Sequence, residues 1–454
     1  MHRIIRVSCL LILFNAITGT AQNRVVGYYP DWVIEGMPAE ELDFGILTHV
    51  NHAFAWPTAT GEINSYLNMF DVDMNVTIHE NGGYISLSFG GWGNSDGFAP
   101  MTASPENRQN FITNVIETCQ YYEYDGVDFD WEHPATSTET DNYTLLIQEL
   151  RAATDTTFDN FLITMAVPAG NWSGQHYDLD AMEPYIDWFN AMTYDYHGTW
   201  TNHAGHNSPL YNSPSNDPDG SCHTSMNYLI NSRHIDPQKL NMGIPFYAKE
   251  FGASEINGAS TGGNLTYGYN DIVGFLDQGW TDHWDDVANA PYLQNAAQTR
   301  LITYDNPTSV GLKCDYANSR DLGGVMIWAL GQDFINGHEE LLEAIQDYSG
   351  TIQEGDRFQS QPAATLRISN YPNPFNPITT ISYFIPEQSK VEMTVYDIHG
   401  RALLTLLSGQ ISPGTYQIVW DGLDGQLRQA STGIYFCKLQ AGSFTKTIKM
   451  LFIK

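Results

Sequence analysis

Short apolar runs rich in β-branched and aromatic residues recur along the first three quarters of the chain. They fall at Val25–Tyr29, Ile46–Ala55, Tyr84–Phe89, Gly126–Trp131, Leu162–Val167, Trp188–Thr193, Leu240–Pro245 and Val325–Ala329, with helical stretches between them. Eight such strands separated by crossovers predict an α/β fold, a (β/α)8 TIM barrel occupying residues 22–348. The interval 247–303 is too long for a βα loop and is rich in Gly, Asn and Tyr. Residues 349–365 show neither period and read as a linker. Beyond them the pattern changes: Ile381–Ile385, Val391–Val395 and Tyr416–Trp420 alternate at period two between Gly and Asp turns. Residues 366–454 are therefore expected to form a small C-terminal β-sandwich.

One strand carries charge. In Asp125-Gly126-Val127-Asp128-Phe129-Asp130-Trp131-Glu132, the acids Asp128, Asp130 and Glu132 alternate with apolar residues. On a strand these three carboxyls project to one side, ~7 Å apart. Crowded carboxylates cannot all ionise, so one keeps its proton near neutral pH, as a general acid requires. A calcium loop also alternates acids, but it places Gly and Asn in the gaps where this run has Val127, Phe129 and Trp131. Glu132 falls where strand gives way to loop, the end of a barrel strand at which catalytic groups lie.

The same run fills Asp-x-x-Asp-x-Asp-x-Glu, and here the chain resembles the family 18 glycoside hydrolases, the chitinase family. The resemblance extends through Val26-Gly27-Tyr28-Tyr29-Pro30, Ser88-Phe89-Gly90-Gly91-Trp92, Met192-Thr193-Tyr194-Asp195-Tyr196-His197-Gly198, Gly243-Ile244-Pro245-Phe246-Tyr247 and Gly323-Gly324-Val325-Met326-Ile327-Trp328. It implies a retaining hydrolase in which the substrate's own acetamido group is the nucleophile, through an oxazolinium intermediate. Carried over residue by residue, Glu132 is the acid and then the base, Asp130 orients the acetamido group, and Asp128 tunes Asp130. Tyr194 and Asp195 complete the catalytic set. Trp328 is expected to floor the subsite where the bond breaks, with Trp92, Tyr28, Phe54, Met192, Tyr247 and Lys249 around the substrate. By the same resemblance, 247–303 is an α+β insertion that walls the cleft. Two positions depart from the family: Tyr247-Ala248-Lys249 stands where Tyr-Gly-Arg is frequent, and His133 follows Glu132 where an aromatic is common.

Residues 1–21 carry Arg3 and Arg6, an apolar run from Val7 to Ile17 and a small-residue end, Gly19-Thr20-Ala21, the pattern of a secretory signal peptide. The run is too short to span a membrane, and no later segment reaches 18 uninterrupted apolar residues. With 20 basic against 52 acidic residues, a formal charge of −32 excludes nucleic acid and anionic membranes as partners. Removal of the leader leaves Cys119, Cys222, Cys314 and Cys437, too sparse for a disulfide framework; at most Cys222 and Cys314 pair. His197, His203, His206 and His223 lie in a loop with neither a tight ligand pair nor accompanying acids, so no metal is expected, and no cofactor motif is present.

The segment Tyr371-Pro372-Asn373-Pro374-Phe375-Asn376-Pro377 and the ending Lys446–Lys454 resemble the C-terminal sorting domain of the type IX secretion system. This implies an export machinery as partner and release to the surface or medium of a Gram-negative bacterium. The alternative, a carbohydrate-binding module, needs exposed aromatic platforms that the segment does not display. The expected protein is a monomeric, secreted chitinase acting on chitin or chitooligosaccharide. An endo-β-N-acetylglucosaminidase shares its acid and mechanism, and a non-catalytic chitin-binding lectin shares its fold but usually loses the acid.

Overall fold

A computed structural model describes residues 23–66, 69–214, 217–260, 265–346, 366–371, 373–385, 388–426, 428–442 and 444–453. The expected signal peptide (1–21) and linker (349–365) lie outside the described residues. Eight strands make the barrel: β1 (Arg24–Pro30), β2 (His49–Pro57), β3 (Tyr84–Gly90), β4 (Gly126–Asp130), β5 (Leu162–Pro168), β6 (Trp188–Met192), β7 (Leu240–Pro245) and β8 (Gly324–Trp328). Their order in the sheet is β1-β8-β7-β6-β5-β4-β3-β2, and β2 pairs back with β1, which closes it. Each strand overlaps one of the eight apolar runs. The second begins at His49 and not at Ile46, because Ile46 and Leu47 belong to a turn in which both backbone N–H groups donate to the Asp43 carbonyl. Both side chains are buried there. A buried turn and a buried strand are equally apolar, so the pattern does not separate them.

Strand register decides what faces what. Ser88 of β3 pairs with Asp128 of β4, and Asp128 with Thr164 of β5, so three polar side chains form one row across three strands. The alternate residues of β4 face the other way. Phe129 meets the rings of Phe89, Phe98, Phe111 and Tyr143, while Trp131 stacks on Phe98 at 5.2 Å. The outer helices start where sequence caps them. Ser104 accepts from the Asn107 N–H ahead of Pro105–Tyr122, and Thr136 forms a capping box with Glu139 ahead of Ser137–Thr154.

The described residues group into two compact units, one carried by 190–328 and the other by 27–189. Within the first, residues 247–303 form a five-stranded antiparallel sheet in the order Thr266–Gly268, Tyr247–Phe251, Leu301–Thr303, Ala290–Gln294, Thr281–Asp285, with the helix Tyr269–Leu276. Phe251, Ala253, Leu301 and Ala204 make its small core. After residue 365 come a three-stranded and a four-stranded antiparallel sheet. Ile381, Tyr383 and Ile385 of one and Val391, Met393, Val395, Cys437 and Leu439 of the other share a single core around Trp420, which makes a sandwich.

All four described cysteines are free and buried. The Cys222 thiol donates to the Thr193 carbonyl at 3.6 Å and lies 3.5 Å from the Ser208 hydroxyl, so it serves the interior of its loop and does not reach Cys314. No helix among the described residues is long and apolar enough to cross a membrane.

Candidate active site

The row formed by β3, β4 and β5 becomes a carboxylate cradle. Asp128 is fully buried; its Oδ2 accepts from the hydroxyls of Tyr28 (2.7 Å) and Ser88 (2.8 Å), and its Oδ1 from Thr164 (2.6 Å). Three donors hold it in one orientation. Asp130 is also buried, yet its Oδ1 has no hydrogen-bond partner. Burial first, then the charges of Glu132 and Asp128, hold the Asp130 carboxyl well above the usual carboxylate range. Close approach of β3 to β4 depends on Gly90, whose φ is +114° and where a Cβ would stand 2.2 Å from the Asp130 carbonyl oxygen.

Glu132 lies just past β4, with its backbone N–H donated to the Ser95 hydroxyl (3.0 Å). His133 faces it. The Tyr177 hydroxyl donates to the Trp131 carbonyl (2.6 Å), so at 3.1 Å the His133 Nδ1–H donates to the Tyr177 oxygen. His133 Nε2 then stands 3.6 Å from Glu132 Oε2, and burial lowers the ring's pKa to about 4. The neutral ring thus turns a nitrogen lone pair toward the Glu132 carboxyl. Asp125, the first fixed position of the run, works elsewhere: its Oδ2 accepts from the Ile85 N–H and lies 2.8 Å from His79 Nε2, bracing the start of β4.

A second group sits past β6. The Thr193 hydroxyl donates to the Gly243 carbonyl (2.6 Å), and the Thr193 carbonyl accepts from Ser208 (2.6 Å). Lys313, fully buried, donates to Ser208 (2.7 Å) and to Asp305 (2.6 Å). That buried ion pair fixes the strand end from which Tyr194 and Asp195 project. Tyr194 meets the Tyr247 ring at 6.0 Å, with its hydroxyl 4.0 Å from Met326 Sδ. Asp195 has a left-handed backbone (φ 61°), a conformation Asp tolerates better than most residues. Its Oδ1 accepts from the Tyr247 hydroxyl and from Lys249 Nζ (2.7 Å), and Lys249 also lies 4.5 Å over the Trp200 ring. The lysine that replaces the family's arginine is thus occupied by Asp195 and an indole.

Each expected site residue can now be placed. Trp92 is 80 % exposed on the loop after β3, and Trp328, partly buried, ends β8 with Met192 at the corresponding end of β6. Tyr28 and Phe54, expected to line the substrate, are buried: Tyr28 donates to Asp128, and Phe54 packs against Gly91, where a Cβ would meet its ring at 2.5 Å. Tyr28 thereby helps to hold Asp128. Sequence reasoning missed Trp32, Trp172 and Trp200, all exposed beyond the ends of β1, β5 and β6, Trp172 within the short helix Asn171–Gly174. Their signal was a tryptophan a few residues past a strand end. One ground of the metal expectation changes, since Asp217 and Asp219 stand beside His197 and His203 and supply the acids judged missing.

Residues 24–333 match the family described as glycosyl hydrolases family 18, and residues 369–454 match the secretion system C-terminal sorting domain. The chain is 31% identical over 399 residues to probable chitinase 2 of Drosophila melanogaster, covering 78% of this chain and 81% of that protein. It is 28% identical over 421 residues to chitinase A1 of Niallia circulans, covering 73% of this chain and 60% of the relative's length. Among solved structures, the group IV chitinase of Ostrinia furnacalis in complex with allosamidin aligns with a TM-score of 0.67 at 29% identity, over 72% of this chain and 98% of that one. A chitinase from Cycas revoluta in complex with (GlcNAc)4 aligns at 0.64 and 25% identity, over 72% of this chain and 100% of that one.

Proposed function

This chain belongs to family 18 of the glycosyl hydrolases, and from that premise we propose that it is a secreted chitinase cleaving β-1,4 bonds between N-acetylglucosamine units with retention. The observation that carries the proposal is the buried Asp130, its carboxyl held well above the usual carboxylate range, between the three-fold anchored Asp128 and the strand-end Glu132. Classical retaining glycosidases ionise a second carboxylate as a nucleophile. A carboxyl that burial keeps neutral is poorly suited to that task and well suited to hydrogen-bond an amide. Asp130 therefore orients the substrate's acetamido group, whose carbonyl oxygen attacks the anomeric carbon. Glu132 donates a proton to the departing oxygen and then takes one from the water that opens the oxazolinium. Asp128 exchanges its share of the proton with Asp130 as positive charge builds on the acetamido nitrogen.

Tyr194 steadies the acetamido carbonyl and Asp195 belongs to the same pocket, while Trp328 floors the reacting sugar by stacking on its apolar face. Trp92, Trp32 and Trp172 offer further exposed indole faces to a sugar chain. The C-terminal sandwich is the export signal, which places the enzyme outside a Gram-negative cell. Glu132→Gln should cut turnover of chitin oligomers by ~10²–10⁴-fold while oligomer binding persists. Undiminished turnover in that variant would end the assignment. Product profiling on chitin against an N-linked glycoprotein separates this reading from an endo-β-N-acetylglucosaminidase.

A further inference from the structure

The loop between β6 and the helix Cys222–Asn227 folds back so that its two ends meet. His197 and His203 come from its first part, Asp217 and Asp219 from its last, and one ligand atom from each lies within 4.8 Å of all the others. His197 Nε2 is 3.1 Å from Asp217 Oδ2 and 3.5 Å from Asp219 Oδ2, while His203 Nε2 is 3.3 Å from Asp219 Oδ2 and 3.9 Å from Asp217 Oδ1. Four donors at ~2.0–2.2 Å around a tetrahedral ion stand ~3.3–3.6 Å apart. The observed separations bracket that value.

The rings are already turned for coordination. His197 Nδ1–H donates to the His206 carbonyl (2.9 Å) and His203 Nδ1–H to the Asn202 side-chain oxygen (3.2 Å). Both Nε2 atoms are left facing carboxylate oxygens, the outer hydrogen-bond pattern that metal-bound histidines show. Asp219 Oδ2 is buried and makes no hydrogen bond. Asp217 is held by accepting the Asp219 N–H at its Oδ1 (2.9 Å). Gly205 leaves room for the His197 ring, since a Cβ there would come within 2.2 Å of it. With both Nδ1 atoms protonated, lone pairs of two imidazoles and two carboxylates converge on one point, which a cation satisfies at once; the 3.1 Å contact of His197 Nε2 with Asp217 Oδ2 is otherwise a hydrogen bond that needs an added proton.

We propose that His197, His203, Asp217 and Asp219 bind one first-row divalent cation of the zinc class, which ties the loop that follows Tyr194 and Asp195 into a closed structure. Two nitrogens and two carboxylate oxygens suit zinc, whereas calcium and magnesium prefer oxygen throughout. Four protein ligands close the coordination shell, so the ion is structural. His197 and Asp217 are buried, while His203 and Asp219 are partly open and provide the way in.

The experiment uses the full chain, stripped with a chelator and then titrated with zinc chloride, with calcium chloride as a second arm. Metal content after desalting and the melting temperature are read together. One zinc per chain and a rise of several °C at ~100-fold excess over Kd are expected, with no comparable effect of calcium. The partly exposed ligands allow variants that fold: His203→Ala and Asp219→Asn should each weaken zinc by more than the ~10–100-fold that loss of an outer-shell contact costs. Asp271→Asn, an acid elsewhere on the surface, should bind as the parent does. Absence of bound zinc with an unmoved melting temperature would overturn the site and leave an imidazolium–carboxylate cluster. Equal zinc retention in the two ligand variants, or calcium acting as well as zinc, would overturn it too.

Discussion

Two side chains beside Glu132 make separable contributions. Asp130→Asn keeps a group that can hydrogen-bond but loses the proton that the proposed mechanism has it exchange with Asp128, so kcat should fall by roughly 10²–10³-fold with little change in KM, by steady-state kinetics on a chitin oligomer. His133 acts on the acid itself. Its neutral Nε2 favours protonated Glu132, so His133→Phe removes that preference and lowers the acid's pKa. The basic limb of the kcat/KM profile should then move to lower pH; a limb that stays in place would show that His133 does not tune the acid. The acids were legible because alternation along β4 assigns a face to each residue. Tyr28 was legible as a strand residue but not as the partner of Asp128, since period two does not tell a side chain filling the barrel from one lining its mouth. Trp200 lies in a loop, which has no period at all, and Trp172 in the helix Asn171–Gly174, too short to show one.

At the scale of elements, the end of β6 depends on an ion pair between Lys313 and Asp305 that water does not reach. Lys313→Met leaves the Asp305 charge buried and alone, and should cost ~3–5 kcal/mol in a denaturant titration. Asp333 is a second buried acid: its Oδ2 accepts the N–H groups of Leu341 and Leu342, and burial pushes its pKa up to about 7 from 3.8. The folded chain therefore holds a proton that the unfolded chain has released across that interval. Its contribution is full below the lower value and is lost as pH rises through about 7. Asp333→Asn keeps an acceptor for both N–H groups without the charge, so its melting temperature should exceed the parent's more at pH 8 than at pH 5. Elements of this kind were visible as strands and helices from apolar spacing. Their ties were not, because Lys313, Asp305 and Ser208 are brought together only by the fold.

For the whole molecule, order along the chain was the most legible property, with barrel first, insertion within it and sandwich last. Composition had also set the surplus of acids, but it left open which acids meet which histidines. Asp217 and Asp219 are far from His197 along the chain, so the cluster exists only once the loop has closed. The sorting role proposed for the sandwich separates cleanly from catalysis. Deletion of 366–454 should keep the enzyme inside the producing cell with oligomer turnover per molecule unchanged, measured by activity in medium against cell lysate.

The four buried thiols have a bearing on how such an enzyme ages. With no described cysteine at the surface and none cross-linked, the described residues hold neither a disulfide for reductants to cut nor an open thiol for oxidants to seize. It should melt at the same temperature with or without dithiothreitol and remain single chains on non-reducing gels after exposure to dilute peroxide. Its working life would then be the same in anoxic mud as in aerated water.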